Sequence, residues 1–343
     1  MNTPHPPSQL VPVTILTGFL GSGKTTLLNR ILREPHGLRI AVIENEFGEA
    51  GIDNELLVQD SDEQIVEMNN GCICCTVRGD LVRILGELAV RRRAGELHFD
   101  RVVIETTGLA DPAPVAQTFF VDDEVSMAYS LDGIVTMVDA HHAGQQLQLH
   151  HEAQEQVGFA DRILLTKTDL VSAEQLQALR RRLVQMNPRA RLGVARRGVA
   201  DLEDLLDIRG FDLDAILRIE PDFLSDVAHE HDDDVSACVF RETRALDLDR
   251  VEDFLGGVVQ VYGPQLLRYK GVLHIRGQTR RVVFQGVHML MGSELASPWK
   301  PGEARASRMV FIGKDLPRDV LLDGMAQCVA GAAAGPRATP PHA

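Results

Sequence analysis

This sequence predicts an α/β domain, a mostly parallel sheet with helices on both faces, followed by a small α+β domain. Three observations predict it. From residue 11 to about 210, short Val- and Ile-rich runs alternate with helical periodicity; residues 219–234 lose that periodicity; beyond them strand runs follow one another with few helices between. Near-continuous apolar strands separated by helices are what a sheet covered on both faces requires. Successive strands without crossover helices point instead to an antiparallel sheet. A chain of 343 residues is also long for one core.

The first domain, taken as 11–218, has strand runs VPVTIL (11–16), RIAVIE (39–44), QIVEM (64–68), RVVIE (101–105), GIVTMVD (133–139), RILLT (162–166) and RLGVA (191–195). One helix is expected to start at SAEQLQALRRRLVQM, with Ser172 as N-cap and Gln175 three residues on, a capping box. Residues 219–234, IEPDFLSDVAHEHDDD, gather Pro, His and Asp and read as a linker. The second domain, 235–328, is expected as a strand (236–246), a helix (248–261), strand runs near 266–276, 281–291 and 307–313, and a last helix over 317–327. The tail, 329–343, has a composition that does not order.

Bulk composition narrows the function classes. Hydrophobic content of 44% and charged content of 24% are those of a soluble globular protein. Net charge of -14 argues against a phosphate backbone as partner, so no nucleic acid is expected. The Arg triplets at 91–93 and 180–182 are expected to end helices, where they suit the helix dipole. The start MNTPHPPSQL lacks a basic region followed by an apolar run, and no apolar stretch is long enough to span a bilayer. A cytoplasmic protein with no membrane partner is the expectation, and in that compartment a structural disulfide is disfavoured.

GFLGSGKT (18–25) matches G-x-x-x-x-G-K-[ST]. Its context fits: a buried strand in front, and a helix KTTLLNRILRE starting inside the motif. Glycines let backbone N–H groups turn inward, and the helix N-terminus adds positive potential for phosphates. Gly21, Ser22, Gly23, Lys24, Thr25 and Thr26 are therefore candidate phosphate binders, with Lys24 reaching the β- and γ-phosphates and Thr25 holding Mg²⁺. VVIETTG places Glu105 and Gly108 past a strand end, where an acid can address Mg²⁺ and a glycine N–H can meet a γ-phosphate. LLTKTDL puts Thr166, Lys167 and Asp169 after another strand. An Asp there can accept two hydrogen bonds from guanine, which adenine cannot donate, while the lysine stem packs on the purine. GTP with Mg²⁺ is the expected ligand.

Three of the five cysteines, Cys72, Cys74 and Cys75, lie in NNGCICCTVRGD (69–80). A disulfide is disfavoured by compartment and by the strain of bridging neighbours. A nucleophilic thiol would want a histidine base that spacing does not offer. A soft metal site fits best, Zn²⁺ first and Co²⁺ or Cu(I) behind, with a fourth position left open. IENEFGEAGID (43–53) offers Glu44, Glu46 and Glu49 as ligands or Mg²⁺ contacts, or as a solvated loop. The histidines at 141, 142, 150 and 151 are too far apart for one helical turn, and a solvated helix face explains them equally well. His229 and His231 fall in the linker.

Taken in order, GFLGSGKTT, ENEFGE, NNGCICC, ETTGLADP and LLTKTDL resemble the CobW-type proteins, P-loop GTPases related to the nickel-insertion GTPases of urease and hydrogenase. LLRYKGVLHIRG, VVFQGV and SRMVFIG resemble the CobW C-terminal domain, closest to the YjiA-like branch. The resemblance covers about residues 11–327. It implies a P-loop NTPase fold of the SIMIBI type and a slow GTPase that binds a transition metal, zinc usually and cobalt otherwise, for a client apo-metalloprotein. It carries the metal site onto Cys72, Cys74 and Cys75; Glu44 and Glu49 remain the expected oxygen donors beside them, and Lys24, Thr25 and Glu105 the residues expected to serve catalysis. It also places Cys75 to Gly79 close to the nucleotide, and a homodimer is compatible with it. Here the base-reading motif begins with Thr166 where the family often has Asn, and the histidine-rich stretch is only HEHDDD. Two other readings are weighed: a metal buffer or sensor with a regulatory, nearly non-hydrolysing nucleotide site, and a small-molecule kinase, for which no acceptor base is evident.

Overall fold

The computed structural model describes residues 10–33, 37–45, 77–196, 198–200, 205, 206, 208, 234–300 and 302–331. The chain divides into two compact units. In the first, strands β1 (Val11–Gly18), β2 (Ile40–Asn45), β3 (Arg101–Thr106), β4 (Tyr129–Asp139), β5 (Arg162–Thr166) and β6 (Arg191–Val194) form one sheet in the order β2-β3-β1-β4-β5-β6. Every pairing in it is parallel. The strand run at 64–68 lies outside the described residues.

Parallel strands need a crossover of about a dozen residues or more, so helices intervene: α1 (Lys24–Arg33), α2 (Val77–Arg93), α3 (Ala113–Val121), α4 (Asp123–Ala128), α5 (Ala143–Leu149), α6 (His151–Phe159) and α7 (Ala173–Met186). Leu27, Leu28 and Ile31 of α1 join Leu16, Val103, Val135 and Met137 in one core cluster. Thr136 Oγ1, between Val135 and Met137, donates to Gln156 O of α6 at 2.7 Å. Alternate residues of a strand face opposite ways, so α1 and α6 cover opposite faces. That is why the strands read as continuous apolar runs.

The expected capping box opens α7: Gln175 N donates to Ser172 Oγ at 3.3 Å and Ser172 N to Gln175 Oε1 at 2.9 Å. Arg91, Arg92 and Arg93 lie in the last turn of α2, as expected. Arg180, Arg181 and Arg182 do not end a helix. They sit inside α7, where Arg182 Nη1 donates to Gly144 O at 3.2 Å; only Leu179, Leu183 and Met186 of that helix are buried. Arg181 is exposed and Arg180 and Arg182 are half-buried, flanking the apolar stripe of an amphipathic helix.

The second unit holds β7 (Val235–Glu242), α8 (Leu248–Tyr262), β8 (Leu266–Leu273), β9 (Arg280–Val287), β10 (Leu290–Pro298), β11 (Ser307–Lys314) and α9 (Arg318–Gln327). Its sheet is antiparallel, ordered β10-β9-β8-β11-β7. Val251, Leu255, Leu321 and Met325 of the two helices share a core with Phe240, Tyr269, Phe284 and Phe311 of the strands. The run expected over 281–291 is broken by a turn at His288, whose φ is 50°, so β10 pairs back on β9 as a separate edge strand. It escapes sequence reading because most of it is exposed and lacks alternation. The first strand also ends sooner than expected, at Glu242. Among the described residues no helix is long and apolar enough to cross a membrane.

Candidate functional site

All strands of the first sheet run the same way, so their carboxyl ends share one edge, where ligands bind in open α/β sheets. The loop after β1 turns through Gly21 and Gly23 at φ 72° and 95°, which a side chain would resist. Ser22 N donates to Phe19 O at 3.1 Å, closing the turn, and α1 starts at Lys24. The first amides of a ten-residue helix have no intrahelical acceptor, so this loop presents donors and a positive dipole end.

Lys24 is 8% exposed, and its Nζ donates to Gly18 O at 2.7 Å and Phe19 O at 3.5 Å. Burial lowers its pKa, and the Glu105 carboxylate works in the opposite direction. A desolvated ammonium held on loop carbonyls would gain from a stronger, charged acceptor, which a phosphate oxygen could supply. Thr25 and Thr26 are exposed at the helix start.

Thr25 Oγ1 donates to Glu105 Oε1 at 3.3 Å across the ends of α1 and β3. A hydroxyl and a carboxylate side by side are the hard oxygen donors that Mg²⁺ takes, so the donor set fits that ion. In register, Glu44 lies directly across from Glu105. The chain therefore leaves β2 beside this pair, and the next described residue is Val77 at the head of α2. Cys72, Cys74, Cys75, Glu46 and Glu49 lie between, outside the described residues, as do His229 and His231. Gly108 follows β3 and packs against Leu20 of the phosphate loop.

The third piece comes from β5. Thr166 Oγ1 donates to Ser22 O at 3.0 Å, tying this strand end to the phosphate loop. Lys167 sits in the left-handed region, φ 51° and ψ 32°, and its Nζ donates to Asp139 Oδ2 at 2.7 Å. Asp169 is exposed in the 3-10 turn Thr168–Leu170. The fold thus brings the phosphate loop, Glu105, Gly108 and Thr166 together; Asp169 lies three residues past Thr166 in the turn that follows β5.

Sequence reading passed over Asp139. It ends β4, is 1% exposed, and accepts from Lys167 Nζ, from His141 N at 3.0 Å and pairs with His142 Nδ1 at 2.8 Å. Burial pushes its carboxyl up, but the hydrogen bonds from Lys167 and His142 outweigh that and hold it below its ordinary value. The signal available was an acid closing an apolar strand. His141, His142, His150 and His151 are all exposed, as a solvated face expects, but they stand at helix starts rather than along one face. His142 and His150 sit at the N-caps of α5 and α6, and the His150 ring lies 4.6 Å from that of Phe19 in the phosphate loop.

Comparison with known proteins agrees in both units. Residues 12–193 match the CobW/HypB/UreG nucleotide-binding domain, and residues 235–329 match the cobalamin synthesis protein cobW C-terminal domain. The chain is 43% identical over 310 residues to the zinc chaperone YjiA of Escherichia coli (strain K12), covering 90% of this chain and 96% of that one. It is 35% identical over 357 residues to the zinc chaperone CobW of Pseudomonas aeruginosa, covering 93% and 92%. The crystal structure of Zn(II)-bound YjiA GTPase from E. coli superposes with a TM-score of 0.75 at 37% identity, covering 94% of this chain and all of that one.

Proposed function

The chain belongs to the CobW family and is a GTPase; from that premise we propose that it couples GTP hydrolysis to binding zinc and passing it to client apo-metalloproteins. Lys24 contacts the β- and γ-phosphates, helped by the amides of Gly21 to Thr26. Thr25 and Glu105 hold Mg²⁺, which when bound neutralises charge on the phosphate oxygens. The Gly108 N–H meets the γ-phosphate. Asp169 reads guanine, the Lys167 stem lies on the purine, and the Thr166 hydroxyl keeps base and phosphate loops in step. Hydrolysis adds water to the γ-phosphorus as the bond to the β–γ bridging oxygen breaks, leaving GDP and phosphate.

Zinc is the cargo, taken by the thiolates of Cys72, Cys74 and Cys75, with Glu44 and Glu49 as oxygen donors. One observation carries the coupling. The register opposes Glu44, a proposed zinc donor, to Glu105, a proposed Mg²⁺ ligand, so the two sites would adjoin across neighbouring strands. Whatever Glu105 feels on loss of the γ-phosphate is felt one strand away. The test is multiple-turnover phosphate release from GTP, alone, with zinc, and with zinc plus candidate apo-metalloenzymes. Zinc-dependent turnover with activation of a client is expected. Turnover indifferent to zinc, with no client activated, would reduce the protein to a plain GTPase.

A further inference from the structure

Gln156 lies in α6, on the face of the sheet away from α1, and is 1% exposed. Its whole amide donor capacity goes to one turn: Nε2 donates to Gly108 O at 3.2 Å and to Ala110 O at 3.1 Å. Ala110 N donates to Thr107 O at 3.1 Å, which closes that turn from within. From the other side the phosphate loop presses on it. A Cβ on Gly108 would stand 2.7 Å from Leu20 N and 2.9 Å from Leu20 Cα, so only glycine fits.

The position from which Gln156 reaches is itself held. Its own carbonyl accepts from Thr136 Oγ1, Gln154 Nε2 in the same helix donates to Leu147 O at 2.8 Å, and the His150 ring at the helix start lies tilted against that of Phe19. Gln156 Oε1 is buried with no hydrogen-bond partner among the described residues. A buried acceptor without a partner is costly, and a Met or Leu would fill the space without that cost. The amide is worth keeping for its two donors.

We propose that Gln156 is a positioning residue for the γ-phosphate. Fixing the carbonyls of Gly108 and Ala110, on either side of Leu109, holds the turn in which Ala110 N donates to Thr107 O, and Thr107 O shares its peptide plane with the Gly108 N–H, whose direction is thereby set. The inference rests on the reading of Gly108 as a γ-phosphate contact. GTP and GDP differ only in that phosphate, so the role has a signature that mere packing lacks.

The experiment measures affinity for a non-hydrolysable GTP analogue and for GDP, with kcat, in the full-length protein. Gln156→Met removes both donors at similar volume, and Gln156→Glu keeps the shape with one donor at most. The analogue should bind about tenfold more weakly in each variant while GDP binding holds within about twofold, and kcat should fall. Equal loss of both nucleotides would assign Gln156 to packing and overturn the proposal, with Gly108 untouched. Analogue affinity unchanged in Gly108→Ala would overturn the proposal together with the reading beneath it. Should one Gln156 variant fail to fold, the other reads the same ratio.

Discussion

At Lys24 a single charge sits where water barely reaches, its ammonium bent onto Gly18 O and Phe19 O. Those carbonyls offset part of its desolvation, and a charged acceptor such as phosphate would offset more. Lys24→Ala is therefore expected to lower GTP turnover by at least about a hundredfold, the loss typical of one preorganised donor to a developing charge. Phosphate release measures it, and turnover at the wild-type rate would remove Lys24 from the phosphate site. Thr166 and Asp169 separate two effects. Thr166→Val deletes the hydrogen bond to Ser22 O and should weaken every nucleotide alike. Asp169→Asn should act on the base alone. The wild type should favour GTP over ATP by at least about tenfold, or about 1.4 kcal/mol, and that preference should shrink in Asp169→Asn. Equal affinity of the wild type for both nucleotides would sink the base-reading assignment.

Elements hold these residues through contacts at their ends. The start of β2 is pinned by Arg39, whose backbone N and guanidinium both donate to Asp100, just ahead of β3. The hydrogen bond from the Arg39 side chain lowers the Asp100 carboxyl from 3.8 to about 2. A folded-state pKa below the unfolded one means stability that is present above pH 3.8 and lost as pH falls to about 2. Asp100→Asn should therefore destabilise the protein at neutral pH and converge with the wild type near pH 2 in urea unfolding. A constant gap across that range would show that the ion pair contributes nothing through its charge. Ser172→Ala breaks the capping box of α7 and should cost about 1 kcal/mol, read by the same unfolding curves.

For the whole molecule the question is whether metal and nucleotide speak to each other. If Cys72, Cys74 and Cys75 bind one zinc as thiolates, affinity should fall with pH as the thiols take up protons. Linkage is reciprocal: the factor by which GTP changes zinc affinity is the factor by which zinc changes GTP affinity. A coupling of about 1–3 kcal/mol corresponds to about 5- to 150-fold. Zinc titrations with GTP analogue, with GDP and without nucleotide, in wild type and Cys74→Ser, measure it. Equal affinity in all three states would leave a metal site without a switch. Zinc binding that survives loss of all three thiols would place the metal elsewhere.

Patterns local in the chain were legible before any coordinates. The buried strands, the Gly21–Gly23 turn feeding α1, the Ser172 cap and the family itself follow from neighbours within a few residues, because periodicity and capping are short-range physics. The same locality explains the errors. Arg180–Arg182 looked terminal because charge says nothing about which face a helix buries, and β10 went unseen because an exposed edge strand needs no alternation. Asp139 and Gln156 were beyond reach for another reason. One holds Lys167, 28 positions away, and the other holds Gly108, 48 positions away. An acid closing an apolar strand was a signal for Asp139 but did not name its partner, and a Gln in a helix has no pattern of its own. Only the parallel stacking of β3, β1, β4 and β5 brings their carboxyl ends within hydrogen-bond range, and that stacking is what assembles the site.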